Sequence, residues 1–229
     1  MARADRPRES LNRPADNPVW WGRCAIAMVW LALFFRCGGA ALIALALDGS
    51  AASAARLDHA LQLAGPRSPL SGFVHAAAAL ALLRWIYVTN RNAHALGSGL
   101  RLTPAGSVAW FFVPVASWFK PYQGLADVWR ITMLPEAPAG VAAPRQLRWL
   151  WGLWLGYRCC ETIALHMHRG GWVPPFVIGA FFEINVLAIV TGALFSLLAT
   201  RVIARLSARQ REALAARSDA VFPSNDFTA

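Results

Sequence analysis

Four ionisable residues sit inside apolar runs, and their positions give them a common depth. Arg36 lies in the middle of the run Val19–Leu47. Arg158 and Glu161 come about 10 to 13 residues into the run that begins near Leu147, and Glu183 about 11 residues into the run from Trp172. At about 1.5 Å per residue, all four fall near the centre of a bilayer. A charge there costs at least about 2.5–3.5 kcal/mol on insertion scales, so the four are expected to face inwards and pair. Two positive and two negative charges balance, and Arg158 and Glu161 stand i, i+3 on one helix. Such a set suits either an ion-pair network that aligns helices or a polar pathway or ligand site at the midplane, as in transporters with interrupted helices. Lys120 joins it if the turn Trp118–Pro121 reaches the same layer. Pro121, at the first position of a returning helix, would then bring free amide groups and the positive dipole end. That arrangement suits an anion: a lipid headgroup or a carboxylate. If the segment lies flat instead, Lys120 meets lipid phosphates. The residues leave both placements open.

Other chemistry has weaker support. His75 and His166 both fall toward the outer leaflet, where a bis-imidazole haem is conceivable. His166-x-His168 is an i, i+2 spacing that does not put two rings on one helix face, and neither HExxH nor paired CxxC occurs. Packed or headgroup-level histidines are the better reading, with no metal and no cofactor. Cys24, Cys37, Cys159 and Cys160 lie within or at the edge of apolar runs and form no CxxC. There is no Gly-rich phosphate loop and no GxSxG elbow. No catalytic residue is assigned.

The elements that must position these residues are apolar runs near membrane length. They cover about residues 19–47, 70–88, 147–167 and 172–203. Residues 1–18 read as a flexible cytoplasmic tail, and 204–229 as a basic helix followed by a tail. Ala52-Ser53-Ala54 resembles a signal cleavage site, but the acidic-containing tail and Arg36 favour an uncleaved span. Residues 48–69 form a polar loop with a weak helical turn at Arg56–Leu63. Pro135–Pro144 is a linker, and Gly170-Gly171 a tight turn. Between the second and third full spans lies 104–134. The apolar stretch Gly106–Phe119, broken at Pro114, reaches only about 21 Å as helix, against roughly 30 Å for a bilayer core. It is expected to dip in and turn back, or to lie at the interface. The returning helix is amphipathic, with Leu125, Val128, Trp129 and Thr132 on one face and Gln123, Asp127 and Arg130 elsewhere.

Composition agrees with this class. Of 229 residues, 57% are hydrophobic and only 15% charged, too apolar for an ordinary soluble domain. Tryptophans cluster near run ends, as at Trp20-Trp21 and Trp149-x-Trp151, which suits aromatic belts. The net charge of +10 comes from arginines flanking apolar runs and not from a basic stripe, so no nucleic-acid partner is expected. Four spans with both termini cytoplasmic put 16 arginines inside and leave Arg56, Arg67 and Arg169 outside. A full crossing by 104–134 would strand one basic end outside.

The same central stretch carries a family resemblance. Trp85-Ile86-Tyr87, Arg91-Asn92 and Ala95-Leu96-Gly97 resemble one block of the bacterial family labelled domain of unknown function 4328. Leu100-Arg101, Pro104-Ala105-Gly106, Trp110-Phe111-Phe112-Val113-Pro114 and Trp118-x-Lys120-Pro121-Tyr122-Gln123 are similar to its central signature, with Trp129-Arg130 following. Ala204-Arg205-Leu206-Ser207-x-Arg209-Gln210 is similar to its end, so the resemblance spans about residues 70–211. It implies a polytopic bacterial membrane protein without an assigned activity, and it supplies no catalytic residue. The expectation is therefore an all-α, polytopic helical membrane protein of the bacterial inner membrane, with four transmembrane helices and a short re-entrant or interfacial hairpin. Its leading role is non-enzymatic, in sensing or membrane-complex assembly, with a protein partner at the cytoplasmic face. A small transporter or a protein binding an anionic lipid or small anion is the alternative, and an enzyme acting on lipid headgroups at Lys120–Gln123 the third.

Overall fold

The computed structural model describes residues 17–46, 68–135, 141–169 and 175–221. The amino tail, the turn expected at Arg56–Leu63, the Gly170-Gly171 turn and the last residues of the carboxyl tail lie outside them. So do the side chains of His168 and Trp172. Every described element is a helix: α1 Pro18–Ala46, α2 Pro69–Leu96, α3 Pro104–Ala109, α4 Lys120–Met133, α5 Arg145–Arg169 and α6 Pro175–Val221. Between α3 and α4 run two 3-10 turns, Trp110–Phe112 and Ala116–Trp118. No strand occurs among the described residues.

Three helices start the same way, and the sequence explains why. Asn17, Ser68 and Thr103 each precede a proline that needs no amide partner in the first turn. Asn17 Oδ1 accepts from the amide of Val19 at 2.9 Å, Ser68 Oγ from Ser71 at 3.0 Å, and Thr103 Oγ1 from Gly106 at 3.1 Å. Gly99, at φ +97°, makes the turn out of α2, a conformation that a Cβ would strain.

Three helical stretches are long and apolar enough to cross a membrane: Pro18–Ala41 in α1, Pro69–Leu96, and Glu183–Ala220 in α6. They mark a membrane protein. At 47 residues, α6 is one unbroken helix about 70 Å long, and the basic helix expected after residue 203 continues it to Val221. Its length comes from an apolar half followed by an arginine-rich half with no glycine or proline between them. The 25-residue α5 carries Arg145, Arg148, Arg158, Glu161 and Arg169 and is not among the three stretches.

The described residues form two compact units, and each long helix contributes to both. The first comprises those within Met1–Cys24, Leu82–Leu147 and Arg201–Ala229; the second, those within Ala25–Ala81 and Arg148–Thr200. In the first unit most of α2 is buried: Trp85, Val88, Thr89, Asn90, Asn92, Ala93 and Ala95 are nearly or fully inaccessible, while Tyr87, Arg91 and His94 are half-buried. Gly22 of α1 passes so close to α6 that a Cβ there would lie 2.8 Å from Ser207 Oγ and 3.1 Å from Ile203 Cγ2. In the second unit, α6 buries a seam of small residues, Ala188, Gly192, Ser196 and Ala199. The Tyr157 ring and the Leu33 side chain approach at Gly192, so the small residues of α6 make room for side chains of α5 and α1. The hydroxyls of Thr191, Ser196 and Thr200 bond to carbonyls one turn back, so none is left unmet in apolar surroundings.

The stretch 104–134 does not contain one continuous dipping helix. Helix α3 ends after six residues, and the chain reverses through the two 3-10 turns around Val113–Val115. Pro114 supplies no amide donor and cannot continue the α3 ladder. Helices α3 and α4 then pack against each other.

Candidate functional site

In the second unit, α1, α5 and α6 bring together Arg36, Glu161 and Asn185. One guanidinium nitrogen of Arg36 donates to Glu161 Oε1, and the other donates to Asn185 Oδ1 at 3.1 Å. The Arg36 side chain is 12% exposed and that of Glu161 24%. A buried pair needs this extra hydrogen bonding to offset desolvation. Of the four residues expected at one depth, these two meet. Arg158 and Glu183 are exposed, and no described contact ties either to the pair. The i, i+3 partner expected for Glu161 is replaced by a cross-helix one. Asn185 was missed, although it stands two residues from Glu183.

His75 and His166 each turn a ring nitrogen back to the carbonyl one turn earlier, Ser71 and Thr162, both at 2.8 Å. The four cysteines are free thiols. No group of three His, Cys, Asp or Glu that could hold a metal occurs among the described residues.

In the first unit the signature residues occupy the turn and α4. Lys120 opens α4, its Nζ 5.8 Å from the centre of the Trp110 ring and 6.0 Å from that of Phe119. These are cation–π distances, and no carboxylate pairs with Lys120 among the described residues. Pro114 and Trp118 are exposed, Tyr122 and Gln123 half-buried, and Pro121 buried. Trp129 is 5% exposed and lies under the Arg205 guanidinium at 5.5 Å.

The expected polar face of α4 is only partly solvated. Asp127 is buried and gathers two arginines. Arg101 grips it with two hydrogen bonds of 2.8 Å, and Arg130 donates to Oδ1 at 3.1 Å. The hydrogen bond to Asp127 raises the Arg101 pKa above its ordinary value, against the opposing effect of burial. Arg101 and Arg130 both belong to the signature motif. Their meeting point was hidden because Asp127 reads as one more solvated charge on an amphipathic helix.

A second polar cluster lies deeper in that unit. Trp85 Nε1 donates to Ser207 Oγ at 2.9 Å. Gln210 Nε2 donates to the Thr89 carbonyl at 2.8 Å and to Thr132 Oγ1 at 3.2 Å, joining α2, α4 and α6. Arg217 donates to the carbonyl of Ala95 in the last turn of α2, where helix carbonyls lack internal partners. Both amide atoms of Asn90 and Gln210 Oε1 are buried without a protein partner.

These arrangements hold helices together: Glu161 and Asp127 meet guanidinium groups, and the Gln210 amide nitrogen meets a carbonyl. The Lys120 ammonium, with no carboxylate partner among the described residues and two aromatic rings beside it, keeps capacity for an external anion. Comparison with curated proteins and with solved structures finds no match. The family model for a domain of unknown function, DUF4328, matches residues 48–208, starting upstream of the 70–211 extent expected from the motifs. That match takes in α2 to α5 and most of α6, with the Arg101–Asp127–Arg130 cluster, the Lys120 turn and the Trp85–Ser207 contact, and it places the chain in the DUF4328 family.

Proposed function

We propose that this chain is a non-catalytic bacterial inner-membrane protein acting in sensing or membrane-complex assembly, with four spans and both termini cytoplasmic. The spans are α1, α2, α5 and α6. Residues 104–134 stay on the cytoplasmic side as a re-entrant or interfacial hairpin. One observation carries the reading: Glu161, a charge in the middle of α5, is paired with Arg36 of α1 and backed by Asn185 of α6. Pairing removes most of the cost of an intramembrane charge. With α5 crossing, an even number of spans keeps the basic amino end and the arginines of α6 on one side, as the positive-inside bias requires. A docked protein partner would meet the first unit, where the exposed residues of α6 include Arg205, Arg209 and Arg211.

A second reading, binding of an anionic lipid or small anion, draws on Lys120 and its two aromatic faces. Transport along the midplane charges draws on Arg36 and Glu161 alone, since Arg158 and Glu183 are exposed. The topology is tested by Lys120→Cys on a cysteine-free background in intact cells. Protection from a membrane-impermeant maleimide, with labelling only after permeabilisation, is the expected result. Labelling from outside would overturn the four-span reading.

A further inference from the structure

Residues 102–119 carry no charged side chain. Where this stretch reverses direction it exposes Phe112 (73%), Val115 (77%) and Trp118 (64%), with Val113 and Phe119 beside them. A contiguous apolar tip of this kind marks a surface that is covered in use.

Five backbone carbonyls beneath the tip are met from within. The Val113 carbonyl accepts from the Ser117 amide at 2.8 Å, and the Pro114 carbonyl from the Ser117 hydroxyl at 2.7 Å. Val115 accepts from Trp118 at 3.3 Å, Ala116 from Phe119 at 3.2 Å, and Phe119 from Gln123 at 3.1 Å. Pro114 has no donor to satisfy. In hydrocarbon each unmet group costs several kcal/mol, so these internal bonds lower the cost of placing the turn there.

Charge sets the limit of the apolar stretch. Arg101 precedes it and is committed to Asp127. Lys120 follows it, held over Trp110 and Phe119. The tip thus has an apolar end, an aromatic collar and a cation at its rim, which is the order of layers met from acyl chains to headgroup phosphates. Helix α3 spans six residues, about 9 Å, so the element reaches into one leaflet only.

We propose that the turn Trp110–Phe119 is a wedge inserted into the acyl layer of one leaflet, and that Lys120 takes the phosphate of an anionic phospholipid at its rim. The proposal rests on the membrane reading above and specifies what the hairpin binds.

The test uses the purified full chain on a cysteine-free background, reconstituted in vesicles of phosphatidylcholine and phosphatidylglycerol. Three variants, Val115→Cys, Phe73→Cys and Glu212→Cys, each carry an environment-sensitive fluorophore. Phe73 is an exposed apolar residue of α2 and Glu212 an exposed charged residue of α6. The label at 115 is expected to be quenched by nitroxide on the upper acyl chain and shielded from aqueous iodide, like the label at 73 and unlike that at 212. Iodide quenching at 115 with lipid quenching at 73 overturns the wedge and leaves the membrane reading standing. Iodide quenching at both overturns the membrane reading itself.

The Lys120 contact is read by native mass spectrometry of phosphatidylglycerol adducts. Lys120→Gln is expected to weaken the tightest adduct about fivefold, the effect of one cation near a lipid surface, while Lys120→Arg retains it. Unchanged adducts in Lys120→Gln refute the contact. Displacement of the adduct by inorganic phosphate would instead assign a free-anion site and refute the lipid.

Discussion

The Arg36–Glu161 pair gives the sharpest test of how α5 is held. Glu161→Gln leaves Arg36 with Asn185 as its described partner, and Arg36→Gln leaves a carboxylate without its cation. Breaking a buried pair costs about 3–5 kcal/mol. With 12% and 24% of the two side chains exposed, residual solvation lowers this to about 2 kcal/mol for each single variant. The double variant Arg36→Gln/Glu161→Gln has no charge left to strand and can form an interhelical amide contact, so it should lose only about 1 kcal/mol. The pair therefore couples by about 3 kcal/mol, at the top of the usual range for residues in contact. Unfolding of the purified chain in mixed micelles, followed by circular dichroism, measures all three variants on one scale. If the double variant loses the sum of the singles, the charges act independently and the account of α5 fails. A transport site gives a different pattern: single variants that keep full folded yield but lose ligand or proton coupling.

Two further expectations concern the first unit. Asp127→Ala should destabilise by about 2 kcal/mol, a charged hydrogen-bond value discounted because Arg101 and Arg130 remain partly solvated. Arg130→Ala should cost under about 1 kcal/mol in the same unfolding assay, and equal losses for the two would argue against Asp127 as the hub. The buried amides should separate in sign. Asn90→Leu should stabilise by about 1–2 kcal/mol by removing two unmet polar atoms, whereas Gln210→Leu should destabilise by about 1 kcal/mol through two lost hydrogen bonds. A loss of stability in Asn90→Leu would show that its amide has partners in the folded protein.

The all-helical class was legible in the apolar runs, and helix starts were legible in Asn17-Pro18, Ser68-Pro69 and Thr103-Pro104. Hydropathy misplaced one helix end. It ends the second run near Val88, yet α2 continues to Leu96, because Thr89, Asn90 and Asn92 are buried inside the first unit and do not lead out to water. The reversal at Pro114 was marked by the proline itself. Its 3-10 form was not, because backbone hydrogen bonds such as Trp118 to Val115 depend on local geometry and leave no periodic trace.

The midplane site shows why depth alone misplaces residues. Counting residues from a run end gives a position along a helix axis, and Arg36, Glu161 and Glu183 all share that position. Contact also requires the right side of the helix. The inward side of α6 is recorded in its buried small residues, Ala188, Gly192, Ser196 and Ala199, spaced four, four and three apart. At about 100° per residue, Asn185 lies about 60° from Ala188 around the axis, and Glu183 about 140° away. The seam therefore selects Asn185 to face α1 and α5, and directs Glu183 outward, where it is exposed. Small residues at helical spacing are a pattern the amino-acid sequence itself displays. Combined with depth, that pattern chooses the amide that bonds Arg36 over the carboxylate two residues earlier.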